Sequence, residues 1–139
     1  MDASHLQGLI GEWNERLLRI SEQDSMEVVG SKWTRKQLLG HLIDSALNNY
    51  QRFVRLQKGN LVGFPGYDQE FWVTAGNYNR CTWMNLVDFW RLFNLQIASV
   101  IENIPSGCEG NVWEVNDLSL GFLVNDYTQH MLHHLTRIS

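Results

Sequence analysis

Two histidines, His130 and His134, stand four residues apart in the run LSLGFLVNDYTQHMLHHLTRI, and a third, His41, lies in LLGHLIDSALNNYQRFVRLQ. Both runs carry helical periodicity. Residues i and i+4 of a helix stack one turn apart on one side, so His130 and His134 could reach a single ion. His41 could supply a third nitrogen from a facing helix. Three imidazoles that leave coordination positions free form a reactive divalent-metal site rather than a purely structural one. With no protein carboxylate to offset its charge, such an ion strongly acidifies what it binds: water falls to a pKa of about 7, giving hydroxide, and a thiol is deprotonated outright. Imidazole suits Zn, Ni, Fe and Cu alike, so the spacing does not name the metal.

Helical-wheel geometry, at about 100° per residue, tests whether these rings can converge. In the last run Leu120, Val124, Tyr127, Met131, Leu135 and Ile138 make one apolar stripe, with His130 and His134 on its flank. His133 points further round toward the polar face, so the 130/134 pair is favoured over 130/133. In the earlier run Leu39, Leu42, Ile43, Ala46, Tyr50, Phe53 and Val54 make the apolar stripe. His41 falls opposite it, in a column with Ser45, Asn48, Arg52 and Arg55. A polar column is ordinarily solvated surface, which counts against a ligand. Two amides and a guanidinium, rather than mixed Lys and Glu, would also suit a cleft wall.

The elements that must position these residues are four long amphipathic helices, expected over about 3–21, 34–57, 82–104 and 119–138. Thr34 and Gln37 have the spacing of a capping box for the second. Pro105 ends the third. Gln23 to Ser31 reads as a loop; KGNLVGFPGYDQEFW reads as a connection with a helical turn after Tyr67; and Val112–Val115 is a brief extended piece. The chain of 139 residues is expected to be one domain, 1–139, all-α, a four-helix bundle with long crossover connections. Its 44% hydrophobic content, with six Trp and six Phe, supplies a core. The net charge of −4, with acids and bases interspersed, gives no basic footprint for nucleic acid. No apolar run reaches membrane-spanning length and no signal-like N-terminus appears, so a cytoplasmic protein is expected. Cys81 and Cys108 lack ligand spacing and read as structural thiols.

The segments GHLIDSALNNYQRFVR, FPGYDQEFW and LGFLVNDYTQHMLHHLTRI together resemble the DinB-like superfamily, in the branch that also holds the YfiT-type proteins. The resemblance covers nearly the whole chain. It implies a histidine early in the second helix and an H-x-x-x-H in the last, holding one divalent metal ion: His41, His130 and His134. It further implies chemistry like that of metal-dependent thiol S-transferases and isomerases that use bacillithiol, mycothiol or glutathione, with thiol S-transfer placed first. A metal-dependent hydrolase, or a non-catalytic metal-binding module of a stress response, is the alternative.

Hydrolysis profits from a general base, whereas thiol transfer needs none. Asp44, Asp126 (one turn before His130) and Asp68 are the base candidates, with Glu70 a weaker choice; no spacing singles one out, and capping or solvated acids is the competing reading. Arg52, with Asn48 between it and His41, could clamp the carboxylates of a small thiol substrate. Tyr67, Asp68 and Gln69 sit in the connection expected to cross the bundle mouth. The third helix is apolar over more than one stripe (Trp83, Leu86, Val87, Phe89, Trp90, Phe93, Leu95, Ile97, Val100), which implies either a homodimer interface or a covering loop.

Overall fold

Each helix that carries a metal-ligand candidate is launched from the end of a two-residue strand. Strand β1 (Val28–Val29) pairs antiparallel with β2 (Trp33–Thr34), and β2 runs directly into α3 (Arg35–Arg55). Strand β3 (Val112–Trp113) pairs with β4 (Leu118–Ser119), which runs directly into α6 (Leu120–Ile138). The last residue of each second strand is the helix cap. Thr34 Oγ1 accepts from the Gln37 amide at 3.1 Å while Gln37 Oε1 accepts from the Thr34 amide at 3.0 Å, the reciprocal box that the sequence spacing predicts. Ser119 Oγ accepts from the Phe122 amide at 3.1 Å. These caps satisfy amides that the first turn leaves without helical partners, and so fix where the histidine register starts.

This computed structural model describes residues 1–30 and 32–139. The other helices are α1 (Ser4–Leu18), α2 (Glu22–Ser25), α4 (Gln69–Gly76) and α5 (Trp83–Glu102). The first helix is therefore shorter than its periodicity suggests. The expected loop at Gln23 to Ser31 contains most of α2, capped by Ser21, and then β1; Ser31 lies outside the described residues. Local capping chemistry wins there over a weak pattern.

The long helices pack in the ring order α1, α5, α3, α6, so α1 and α3 sit diagonally although they are successive long elements. Contacts between ends give the directions. Trp83 Nε1, at the start of α5, donates to Leu17 O, at the end of α1, at 2.8 Å, which makes α1 and α5 antiparallel. Arg35 Nε donates to Ile138 O at 2.6 Å, which makes α3 and α6 antiparallel. Lys36 Nζ donates to Cys81 O at 2.6 Å, and Tyr50 stacks edge-on with Phe93, so α3 and α5 run parallel. Parallel neighbours cannot be joined by a tight turn, and the 26 positions from Leu56 to Cys81, which include α4, supply the crossover. The expected four-helix bundle with long crossovers is the fold observed. Its core holds Trp83, Trp90, Phe53, Leu17 and Leu39 fully buried. Among the described residues no helix is long and apolar enough to cross a membrane.

The surplus apolar surface of α5 is only partly used. Trp90 is buried, but Met84, Phe89, Leu92 and Leu95 are exposed, so a covering loop does not account for that face.

Candidate metal centre

His41 lies one turn and a half into α3, and His130 and His134 lie in the last half of α6. Because these helices are antiparallel neighbours, the early part of one meets the late part of the other. One ring nitrogen from each histidine falls within 4.8 Å of the others. The Nε2 atoms of His130 and His134 are 3.1 Å apart, close to the spacing of about 3.3 Å that two nitrogens adopt on one tetrahedral ion. His133 is exposed and outside the group, as its wheel position predicts.

The column that holds His41 is not solvated surface. His41, Ser45, Asn48 and Arg52 are buried, under the crossover and the β3–β4 hairpin, and only Arg55 at the far end of the column is exposed. Burial decides the protonation of these rings. It pushes His41 down to about 3, with repulsion from His134, His130 and Lys32 adding to the effect. His134 is brought to about 4 by burial and then by His130, His133 and Arg137. Burial also lowers His130, against the opposing pull of Asp126. At neutral pH all three rings are thus neutral, the state in which a metal can take their lone pairs. The Nδ1 atoms of His41 and His134 are buried without a hydrogen-bond partner. The donor set, its separation and its protonation therefore fit one divalent ion.

A cavity of about 320 Å³ opens beside His130, walled by Ser45, Asn49, Arg52, Tyr67, Trp113 and Asp126. A second, of about 230 Å³, reaches His41 and His134 from the side of Trp33 and Arg137. Gln69 borders both. Asp126 is exposed, lines the first cavity and forms no hydrogen bond to His130. Tyr67 lines it too, its phenol pushed up mainly by burial and then by Asp44, and so kept as an O–H donor.

Other candidates are placed elsewhere. Asp68 caps α4, its Oδ1 accepting from the Phe71 amide at 3.2 Å, and it is absent from the walls of both cavities. Glu70 pairs with Lys32 at the surface. Asn48 donates to Asp44 O of its own helix at 2.9 Å, and its neighbour Asn49 lines the cavity instead. Asp44 faces away, into an apolar groove of about 320 Å³ beside Phe71 and Trp72. There it accepts a hydrogen bond from Tyr78 through Oδ1, while Oδ2 has no partner. Burial pushes its carboxyl up to about 6, against the pull of that hydrogen bond.

Three participants escaped the sequence reading. Trp33 packs against His41, with ring centroids 5.2 Å apart. Trp113 lies under the Arg52 guanidinium at 4.0 Å. Tyr78 slots between two glycines: a Cβ on Gly40 would meet its ring at 2.1 Å and one on Gly76 at 2.6 Å. The only sequence trace of this fit is a glycine inside a helical run, immediately before His41.

No protein-family model matches the sequence, and no curated protein matches it. Among solved structures, the fold is similar to that of YfiT from Bacillus subtilis, described as a probable metal-dependent hydrolase with an unusual four-helix bundle topology. The two superpose with a TM-score of 0.83 over 98% of this chain and 81% of that one, at 15% sequence identity. The chain has a YfiT-like four-helix bundle fold, and at that identity the likeness is one of fold.

Proposed function

We propose that this protein is a divalent-metal-dependent enzyme acting on a small molecule, with His41, His130 and His134 as the metal ligands. The observation that carries this reading is the meeting of three neutral imidazoles at the edge of a cavity. A bound divalent ion of the Zn, Ni or Fe type would supply Lewis acidity there, lowering the pKa of water or of a thiol. The protein's own part is to hold the rings unprotonated, keep the site partly dry and orient the reactant in the cavity.

Hydrolysis is the chemistry the walls favour. Asp126 shares the cavity with His130, has no ion-pair partner among the described residues and has the carboxylate a general base requires. YfiT's description as a metal-dependent hydrolase points the same way. Asp44 is buried beyond the cavity and acts through the packing of α3, so we assign it no direct role in proton transfer. Thiol S-transfer is the second reading, and one feature favours it: no acid stands among the ligands, which leaves a site suited to stabilising a thiolate without a base. Low-molecular-weight thiols such as bacillithiol or glutathione are the candidate co-substrates. A non-catalytic binding module has less support, because a cavity adjoins the ligands. Substrate-wall residues on this reading are Arg52, Tyr67 and Gln69, with Asn48 and Asp68 holding the wall from behind. The exposed α5 face makes a homodimer part of the proposal.

Elemental analysis of the purified protein and its His130→Ala variant tests the metal. Parent enzyme loaded with zinc is then assayed on a panel of esters and amides, and separately for consumption of each thiol with an alkylating electrophile. Ester or amide cleavage lost in Asp126→Asn supports hydrolysis. Thiol consumption unaffected by Asp126→Asn supports S-transfer. No metal retained by the parent removes both.

A further inference from the structure

The cavity that His130 borders has a second pole, formed by Arg52. This side chain is only 6% exposed. Its guanidinium is stacked 4.0 Å over the Trp113 ring, and Nη1 donates to Asn49 Oδ1 at 3.3 Å. Its Nε is buried with no partner, and among the described residues no carboxylate pairs with it. Arginines are rarely buried unless paired, because desolvating the cation costs several kcal/mol. Stacking on an indole recovers part of that cost and fixes the guanidinium plane, but apart from the Nη1 bond to Asn49 it leaves the in-plane donors unused. Arg52 is part of the wall of the cavity.

We propose that Arg52, steadied by Asn49 and Trp113 and flanked by the Tyr67 hydroxyl, is the subsite for a carboxylate carried by the substrate; this rests on the reading of the histidine cluster as the reacting end. A planar fork of donors matches a carboxylate in two parallel hydrogen bonds. A single cation, with the Asp126 carboxylate in the same wall, suits a monoanion better than a doubly charged phosphate ester. The register on α3 sets the length of the molecule. An arginine on a helix leans toward the N-terminus, which brings the guanidinium level with Asn49. From His41 to Asn49 the helix rises about 12 Å. Contacts of about 3 Å at each end leave about 6 Å between carboxylate and reacting group, the span of about two extended residues. The substrate class is a short organic carboxylate of that reach.

The test uses the metal-free full-length protein, so that its outcome is independent of the metal, and a pair of probes that differ in charge but not in shape: hexanoate and hexanamide. Calorimetric titration at low ionic strength should give binding of hexanoate at least about tenfold tighter than of hexanamide. Arg52→Met should abolish that preference and Arg52→Lys should keep part of it, since a lysine retains the charge without the fork. The lysine variant also guards against a fold lost in the methionine variant. Equal affinities of acid and amide for the parent, or a preference that survives Arg52→Met, would overturn the subsite, as would an absence of hexanoate binding at millimolar concentration. A parallel zinc titration of His130→Ala decides the metal reading separately, so failure of one claim is distinguishable from failure of the other.

Discussion

Replacing Gly40 by alanine pits a local gain against a tertiary cost at one position. In a helix interior alanine is favoured over glycine by about 1 kcal/mol, so an exposed site would be stabilised. At Gly40 the new methyl group would lie 2.1–2.5 Å from three ring atoms of Tyr78. These include the first ring carbon, which cannot swing aside like the end of a flexible chain, and the same Cδ2–Cε2 edge of the ring is also pressed against Gly76. Overpacking of this kind costs about 1–3 kcal/mol. If Tyr78 is expelled, Asp44 loses the hydroxyl that donates to Oδ1, and both oxygens of a buried carboxylate stand unpartnered, a further cost of about 1–3 kcal/mol. The net expectation is a loss of about 3 kcal/mol, read as a fall in Tm of about 10 °C at this chain length. Thermal unfolding followed by circular dichroism at pH 7 measures it. In a Tyr78→Ala background the same substitution should become stabilising by about 1 kcal/mol, because the obstacle is gone. A Gly40→Ala variant as stable as the parent, or equal destabilisation in both backgrounds, would refute the reasoning.

Metal content should be lost in His41→Ala, His130→Ala and His134→Ala and kept in His133→Ala, as measured by elemental analysis after zinc loading; retention in His41→Ala would separate α3 from the site. In the metal-free protein the lowered pKa values of the three histidines mean that the unfolded chain binds more protons than the folded one below about pH 6.5, so stability falls as pH drops through that value toward about 4. Asp44 works in the opposite sense, because its raised pKa of about 6 makes the folded state the better proton binder between about pH 3.9 and 6. Asp44→Asn should therefore steepen the acid-side loss in urea titrations, and an unchanged slope would show that Asp44 is not held up. Analytical ultracentrifugation should find a dimer at micromolar concentration that Phe89→Glu converts to monomer; a parent that is monomeric throughout rejects the α5 interface.

The histidines were legible because their signal is local. An i, i+4 pair is a property of one helix, and its face follows from the apolar stripe beside it. The capping box at Thr34 was legible for the same reason. The burial of the His41 column was not, since on α3 alone it is the polar side. It becomes interior only because the crossover at 56–81 and the hairpin at 112–119, both outside α3, lie over it, and nothing in a helical period announces that cover. Tyr78 and Trp113 belong to such covering segments and escaped for that reason. Asp68 shows the converse: an acid in a functional-looking loop that is occupied in starting a helix. Asn48 and Asn49 differ by one position, about 100° around the helix, which is finer than a wheel drawn without its neighbours can resolve.

The parallel run of α3 and α5 bears on how the chain reaches its native state. In an up-and-down bundle successive helices dock as hairpins, and contacts are short in sequence. Here α1 and α3 are diagonal, α3 meets α5 only after the crossover, and His41 meets His130 across 89 positions (130 − 41). Such a topology has high contact order for an all-helical protein, and high contact order slows folding. The histidine triad joins α3 to α6, helices separated by two crossovers and α5, so it is expected to close after the nearer pairings have formed. Interactions that are absent from the transition state act on the rate of unfolding rather than of folding. An ion held by these three rings would accordingly act as a kinetic latch, lengthening the lifetime of the native bundle without hastening its assembly.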